Sequence, residues 1–129
     1  MNKDLISSFL DRINAHDVDG IAGFLSDDHV FIDAHDTFHE GKRLMRKAWA
    51  EYFELFPDYR VEIEHMIEEE DMLAVFGYAS ATYKGPGADP SNFWRLPGAW
   101  KAVISEGKIK LWQVYCDYKT IYDIIQKAE

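Results

Sequence analysis

Residues 41–67 read GKRLMRKAWAEYFELFPDYRVEIEHMI, and within them the hydrophobic period changes from that of a helix to that of a strand. Leu44, Met45, Ala48, Trp49, Tyr52, Phe53 and Phe56 recur at the spacing of three and four that gathers side chains on one helical face, and Pro57 ends the run. From Tyr59 the period is two. Val61, Ile63, His65 and Ile67 fall on one side and Glu62, Glu64, Met66 and Glu68 on the other, which predicts a strand with one wet face.

Toward the N-terminus, Leu5, Ile6, Phe9, Leu10 and Ile13 predict one short amphipathic helix, and Ile21, Ala22, Phe24 and Leu25 a second, with Asp17 as its N-cap. His29 to His35 reads as a strand, with Phe31, Asp33 and His35 on one face. Toward the C-terminus, Glu68-Glu69-Glu70-Asp71 is the expected turn and Met72 to Lys84 the returning strand. Gly85 to Gly98 holds three prolines and three glycines and is expected to be a loop, with a short strand at most at Asn92–Arg95. Its Phe93, Trp94 and Leu96 are too apolar for a solvated connector, so it is expected to act as a lid or a subunit contact. Ala99 to Ser105 and Lys108 to Tyr118 form a final hairpin around Glu106-Gly107, and Ile121, Ile124 and Ile125 mark a closing helix. Helices at the front and antiparallel strands behind argue for an α+β fold, and 129 residues suit one domain, residues 1–129.

Composition narrows the function. The chain is 47% hydrophobic and has four Trp, seven Tyr and eight Phe, enough apolar surface for one real core. A formal charge of −9 repels phosphate backbones and anionic headgroups, so no nucleic-acid or membrane partner is expected. Cys116 is the only cysteine, which excludes an internal disulfide and a thiolate metal cluster and suits a reducing cytoplasm. The start, MNKDLISSFLDRINAHD, lacks the apolar run of a secretory signal.

The run RINAHDVDGIAGFLSDDHVFIDAHDTFHEGKRLMRKAWAEYFELFPDYRVEIEH and the tail GKIKLWQVYCDYKTIYDII resemble the two ends of a SnoaL-like or ketosteroid-isomerase-like domain of the nuclear transport factor 2-like superfamily. That resemblance implies a cone-shaped barrel, a strongly bent antiparallel sheet wrapped around helices in the manner of a cystatin-like roll, and a homodimer packed through its outer sheet face. It also implies roles. The base carboxylate of the steroid isomerases, at the end of the first strand, falls on Asp33. Their two oxyanion donors fall on Phe9, which has no donor, and on Trp100, whose indole N–H supplies one. The second aspartate of limonene-type epoxide hydrolases falls on Val114, so the Asp-Arg-Asp set of those enzymes is incomplete here.

Asp33 is the leading candidate for a catalytic carboxylate. It follows Phe31 and Ile32, and desolvation is expected to raise its carboxyl above the reference of about 3.9, toward the range of a general base. The competing role is structural, as an acceptor for the loop Ala34 to Gly41. Phe9, Phe31, His35, Trp49, Tyr52, Phe53, His65, Trp112, Val114 and Cys116 are the expected pocket walls, with Val75, Gly77, Ala79 and Ala81 small enough to leave space beside them. His65 is expected on the apolar face of its strand, as a hydrogen-bonded core histidine rather than a proton shuttle. Cys116 is read as a small hydrophobe and Asp117 as a cap for the closing helix. His35, His39, Asp36 and Glu40 have a spacing suggestive of a metal but sit in a loop, and no metal or other cofactor is expected. Two functions stay open: proton transfer on a small hydrophobic carbonyl compound, as isomerase, cyclase or lyase, and a non-catalytic domain of the same fold that binds a small ligand or serves dimeric assembly.

Overall fold

The computed structural model describes residues 2–85 and 89–128. In chain order the elements are α1 (Asn2–Asn14), α2 (Val18–Gly23), β1 (Leu25–Ile32), β2 (Phe38–Glu40), α3 (Lys42–Leu55), β3 (Arg60–Glu69), β4 (Met72–Thr82), a 3-10 turn (Pro90–Asn92), β5 (Phe93–Ser105), β6 (Lys108–Tyr115) and α4 (Lys119–Ala128). The six strands form one sheet in the order β2-β1-β6-β5-β4-β3.

The fold class stands as α+β, with two corrections to the sheet. It is an open, curled sheet and not a closed barrel, since β2 and β3 end it without pairing to each other. Nor is it wholly antiparallel: β1 runs parallel to β6, with Phe31 opposite Trp112. The chain leaves β1 through β2 and α3 and reaches β6 only after three long strands, a connection long enough to permit a parallel pair.

The helices bury the faces their periodicity marks. Ile6, Phe9, Leu10 and Ile13 of α1 and Met45, Trp49 and Phe53 of α3 all lie in one core. Asp17 caps α2 by accepting from the Gly20 N–H at 2.9 Å. Gly41 opens α3 at φ 101°, a left-handed backbone that favours glycine, and its N–H donates to the His29 carbonyl. Asn14 fastens α1 to the sheet, donating to the Val61 carbonyl at 2.9 Å and accepting from the Val61 N–H at 2.8 Å. Beside it His16 Nε2 donates to the Tyr59 carbonyl at 2.8 Å, and its ring stacks on Phe53. These bonds fix the entry of β3, and with it Tyr59.

Three expectations fail in detail. β1 runs from Leu25, which was expected in the second helix, and not from His29, and it stops at Ile32 because Asp33 begins a turn in which its N–H donates to the Thr37 carbonyl and Asp36 takes φ 64°. In β3 a bulge between Ile63 and His65 reverses the alternation. Met66 then faces inward, while His65 and Ile67 lie exposed on the outer side. The third concerns the expected loop: β5 begins at Phe93, so its second half is a strand paired with β4 from Thr82–Phe93 onward. Residues 86–88 of that expected loop lie outside the described residues.

Candidate functional site

Between α3, the inner sheet face and α4 lies a cavity of about 450 Å³. Its walls come from alternating strand positions: Trp94, Gly98 and Trp100 on β5, Trp112 and Val114 on β6, continued by Cys116 beyond the strand end. Met45, Ala48, Trp49 and Tyr52 of α3 face them, and Ile121 and Tyr122 of α4 close one side. Trp100 and Trp112 are stacked at 16° with 6.4 Å between centroids, while Tyr52 meets Tyr59 edge-on at 5.1 Å. An aromatic enclosure of this kind favours flat apolar molecules by area burial and ring packing.

The polar groups are few. Burial, and next the proximity of Tyr59, Tyr118 and Cys116, pushes the Tyr52 phenol well above its ordinary value. Burial pushes Tyr59 far up as well, and Tyr118 rises through burial, then through Cys116 and Asp33. All three phenols therefore stay neutral and keep their O–H donors at neutral pH. The Cys116 thiol is likewise raised by burial and by Asp117, which leaves it protonated rather than nucleophilic.

Asp33 lines the cavity, and its environment differs from the expected one. Burial does push its carboxyl up, but the net displacement is downward, below 3.8, through hydrogen bonds from His39, Thr37 and His35 and the charge of His39. Its Oδ1 accepts from the His35 and Thr37 N–H groups at 2.9 and 3.0 Å, and His39 Nε2 donates to Oδ2 at 2.9 Å. The expected upward shift is thus corrected. Three donors hold the carboxylate ionised, and the side-chain donor among them, His39, returns to Asp33 through the short β1–β2 hairpin.

Of the expected wall residues, Phe31, His35, Trp49, Tyr52, Trp112, Val114 and Cys116 meet at the cavity, as does Trp100. Phe9, Phe53 and His65 do not line it. Phe9 is core, edge-on to Trp112 at 5.1 Å; Phe53 packs between His16 and Trp49; His65 is turned outward by the bulge. Among the small β4 residues only Ala79 borders the space. Gly77 serves the bulge instead, since a Cβ there would run into the Glu62 carbonyl oxygen. His35 rests edge-on against Tyr118 while His39 bonds Asp33, so the two histidines serve different partners. Asp117 accepts from the Lys119 N–H at the entry to α4.

Sequence reasoning missed Tyr59, Tyr118 and Trp94 as walls. The unbroken alternation Trp94, Leu96, Gly98, Trp100 carries the signal for Trp94, but Pro97 and Gly98 disguise it as loop.

A family model of the SnoaL-like domain matches residues 6–112. No curated protein matches the chain. Among solved structures, a candidate SnoaL-like polyketide cyclase from Shewanella denitrificans OS-217 is similar at TM-score 0.84 and 19% identity, over 97% of this chain and 96% of that one. A protein of ketosteroid isomerase-like fold from Catenulispora acidiphila DSM 44928, in complex with trimethylamine, gives 0.81 and 12% over 95% and 92%. TerC co-crystallised with polyporic acid gives 0.82 and 16% over 97% and 98%. At these identities the likeness is one of fold. Among the described residues no helix is long and apolar enough to cross a membrane.

Proposed function

The chain belongs to the SnoaL-like domain family, and from that premise we propose that its cavity binds one small, flat, apolar molecule carrying a carbonyl or phenolic oxygen. The observation that carries this reading is the combination of about 450 Å³ of aromatic-walled space with three neutral phenols, Tyr52, Tyr59 and Tyr118. Trp49, Trp94, Trp100 and Trp112 supply the apolar contact, and a phenol O–H or the Trp100 indole N–H supplies a donor for the ligand's oxygen. Asp33 is the only carboxylate lining the cavity among the described residues, and no Lys or Arg lines it, which disfavours an anionic ligand. That one structural neighbour holds trimethylamine and another was crystallised with polyporic acid supports a small organic occupant.

A second reading, cofactor-independent proton transfer by an isomerase, cyclase or lyase, draws support from Asp33 at the cavity wall, where an ionised carboxylate faces the space a substrate would fill. The three donors on that carboxylate weaken it as a base, which is why binding is placed first. One experiment separates the two. With 2-acetylnaphthalene as probe in deuterated buffer, binding is followed by tryptophan fluorescence and exchange of the methyl-ketone protons by NMR. Binding recognition predicts that Tyr52→Phe, Tyr59→Phe or Tyr118→Phe lowers affinity about fivefold or more; if none of the three does, phenol recognition fails. The enzyme reading requires exchange faster than in buffer and its loss in Asp33→Asn.

We also propose that the outer sheet face pairs two copies of the chain. Ile67, Phe76 and Tyr115 are 59%, 41% and 53% exposed there, and a contiguous apolar sheet face is seldom left in water. Light scattering at micromolar concentration is expected to give twice the mass of the chain, and a monomer would reject the pairing.

A further inference from the structure

Trp94 opens the inner face of β5, opposite Ala81 of β4 and on the cavity wall. Its ring stands edge-on to Phe56 at 5.9 Å and tilted against Tyr59 at 6.4 Å, and only 4% of the residue is exposed. Its Nε1 is the one buried side-chain nitrogen or oxygen without a hydrogen-bond partner among the described residues. Elsewhere the fold answers such groups: His29 Nδ1 donates to the Ile109 carbonyl at 2.7 Å, and Asn92 Nδ2 to the Tyr83 carbonyl at 3.2 Å. A buried N–H with no acceptor loses its hydration without compensation, and phenylalanine would fill an aromatic wall without that loss.

We infer that the Trp94 indole N–H is a recognition donor for the cavity's ligand, taking an oxygen acceptor (carbonyl, ether or phenolic) on the part of the molecule that lies against the start of β5. This rests on the reading of the cavity as a ligand site and adds to it a residue and a position for the ligand's polar atom. Because Nε1 presents almost no surface of its own, contact requires the indole to turn as the ligand seats.

The test compares two probes of one shape, 2-acetylnaphthalene and 2-isopropenylnaphthalene, which differ in whether an oxygen acceptor is present. Their affinities are measured in the full chain and in Trp94→Phe, and the ratio within each protein cancels changes in volume or packing that affect both probes alike. The ketone-to-hydrocarbon ratio is expected to fall about five- to tenfold in Trp94→Phe. The Trp94 indole N–H resonance, assigned from its disappearance in that variant, is expected to move downfield with the ketone and not with the hydrocarbon. An unchanged ratio with both probes bound overturns the inference and leaves the cavity reading standing. Failure of the full chain to bind either probe overturns both.

Discussion

At Asp33 two forces oppose each other. Burial among aromatic side chains favours the neutral acid, while two backbone N–H groups and His39 favour the anion and prevail. That a carboxylate ends the first strand was legible in the sequence; its charge balance was not, because the strongest of its donors is a histidine six residues on that only the hairpin turn brings back. The folded-state pKa lies below the unfolded value, so the unfolded chain takes up the proton first. The resulting stability is present above the ordinary carboxyl value and is lost as pH falls through the depressed one. His29 has the same sign: burial, against a raising bond to Ile109, holds its imidazole below 6.5, so its contribution is present above 6.5 and declines as pH falls through the folded value. The urea midpoint is therefore expected to fall in two stages on acidification, with the more acidic stage diminished in Asp33→Asn. That variant should also lose about 1–2 kcal/mol near neutrality. An acid limb identical in the two proteins would mean that the three donors contribute nothing to the carboxyl's state.

Among the elements, β3 and β5 show where period stops predicting burial. The bulge after Ile63 adds one residue to β3, and from there each side chain changes face, carrying His65 out of the core. Nothing in the composition of VEIEHMI marks the extra residue, although Gly77 opposite it is the trace it leaves on the partner strand. Alanine in place of a strand glycine usually gains about 0.5–1 kcal/mol. Here Gly77→Ala should instead cost more than about 2 kcal/mol in chemical denaturation, because the new methyl meets the Glu62 carbonyl and the bulge must open. A neutral or stabilising effect would show that the two backbones are not in close approach. In β5, Pro97 and Gly98 argued for a loop and the strand formed regardless. β6 pairs with β5 only from Ala99, so Pro97 stands where one edge of β5 is free and a residue without an N–H costs no ladder bond. The first and third helices, by contrast, were legible from their buried stripes, which need no partner register to be read; the second was read two residues too far, since α2 ends at Gly23 and Leu25 begins β1.

At the scale of the whole molecule, the helices, the curl of the sheet and α4 enclose a space lined from both sides by aromatic rings, and that space is what the proposed function depends on. The expectation of a pocket rested on small β4 residues opposite Trp49, Trp100 and Trp112, and of those small residues only Ala79 borders the space; Tyr59 and Tyr118 join it from connecting segments that carry no period, and Trp94 from a strand whose alternation Pro97 and Gly98 disguise. Ala79, buried on β4 and bordering the cavity, is where the space can be filled without disturbing a polar group. The most direct measurement is titration of 2-acetylnaphthalene against tryptophan fluorescence in the native chain and in Ala79→Phe, with circular dichroism to confirm that the variant keeps its fold. Saturable quenching at one site per chain is expected in the native protein, and its loss in the folded variant. Quenching that does not saturate, or that is the same in both proteins, would contradict the proposed function.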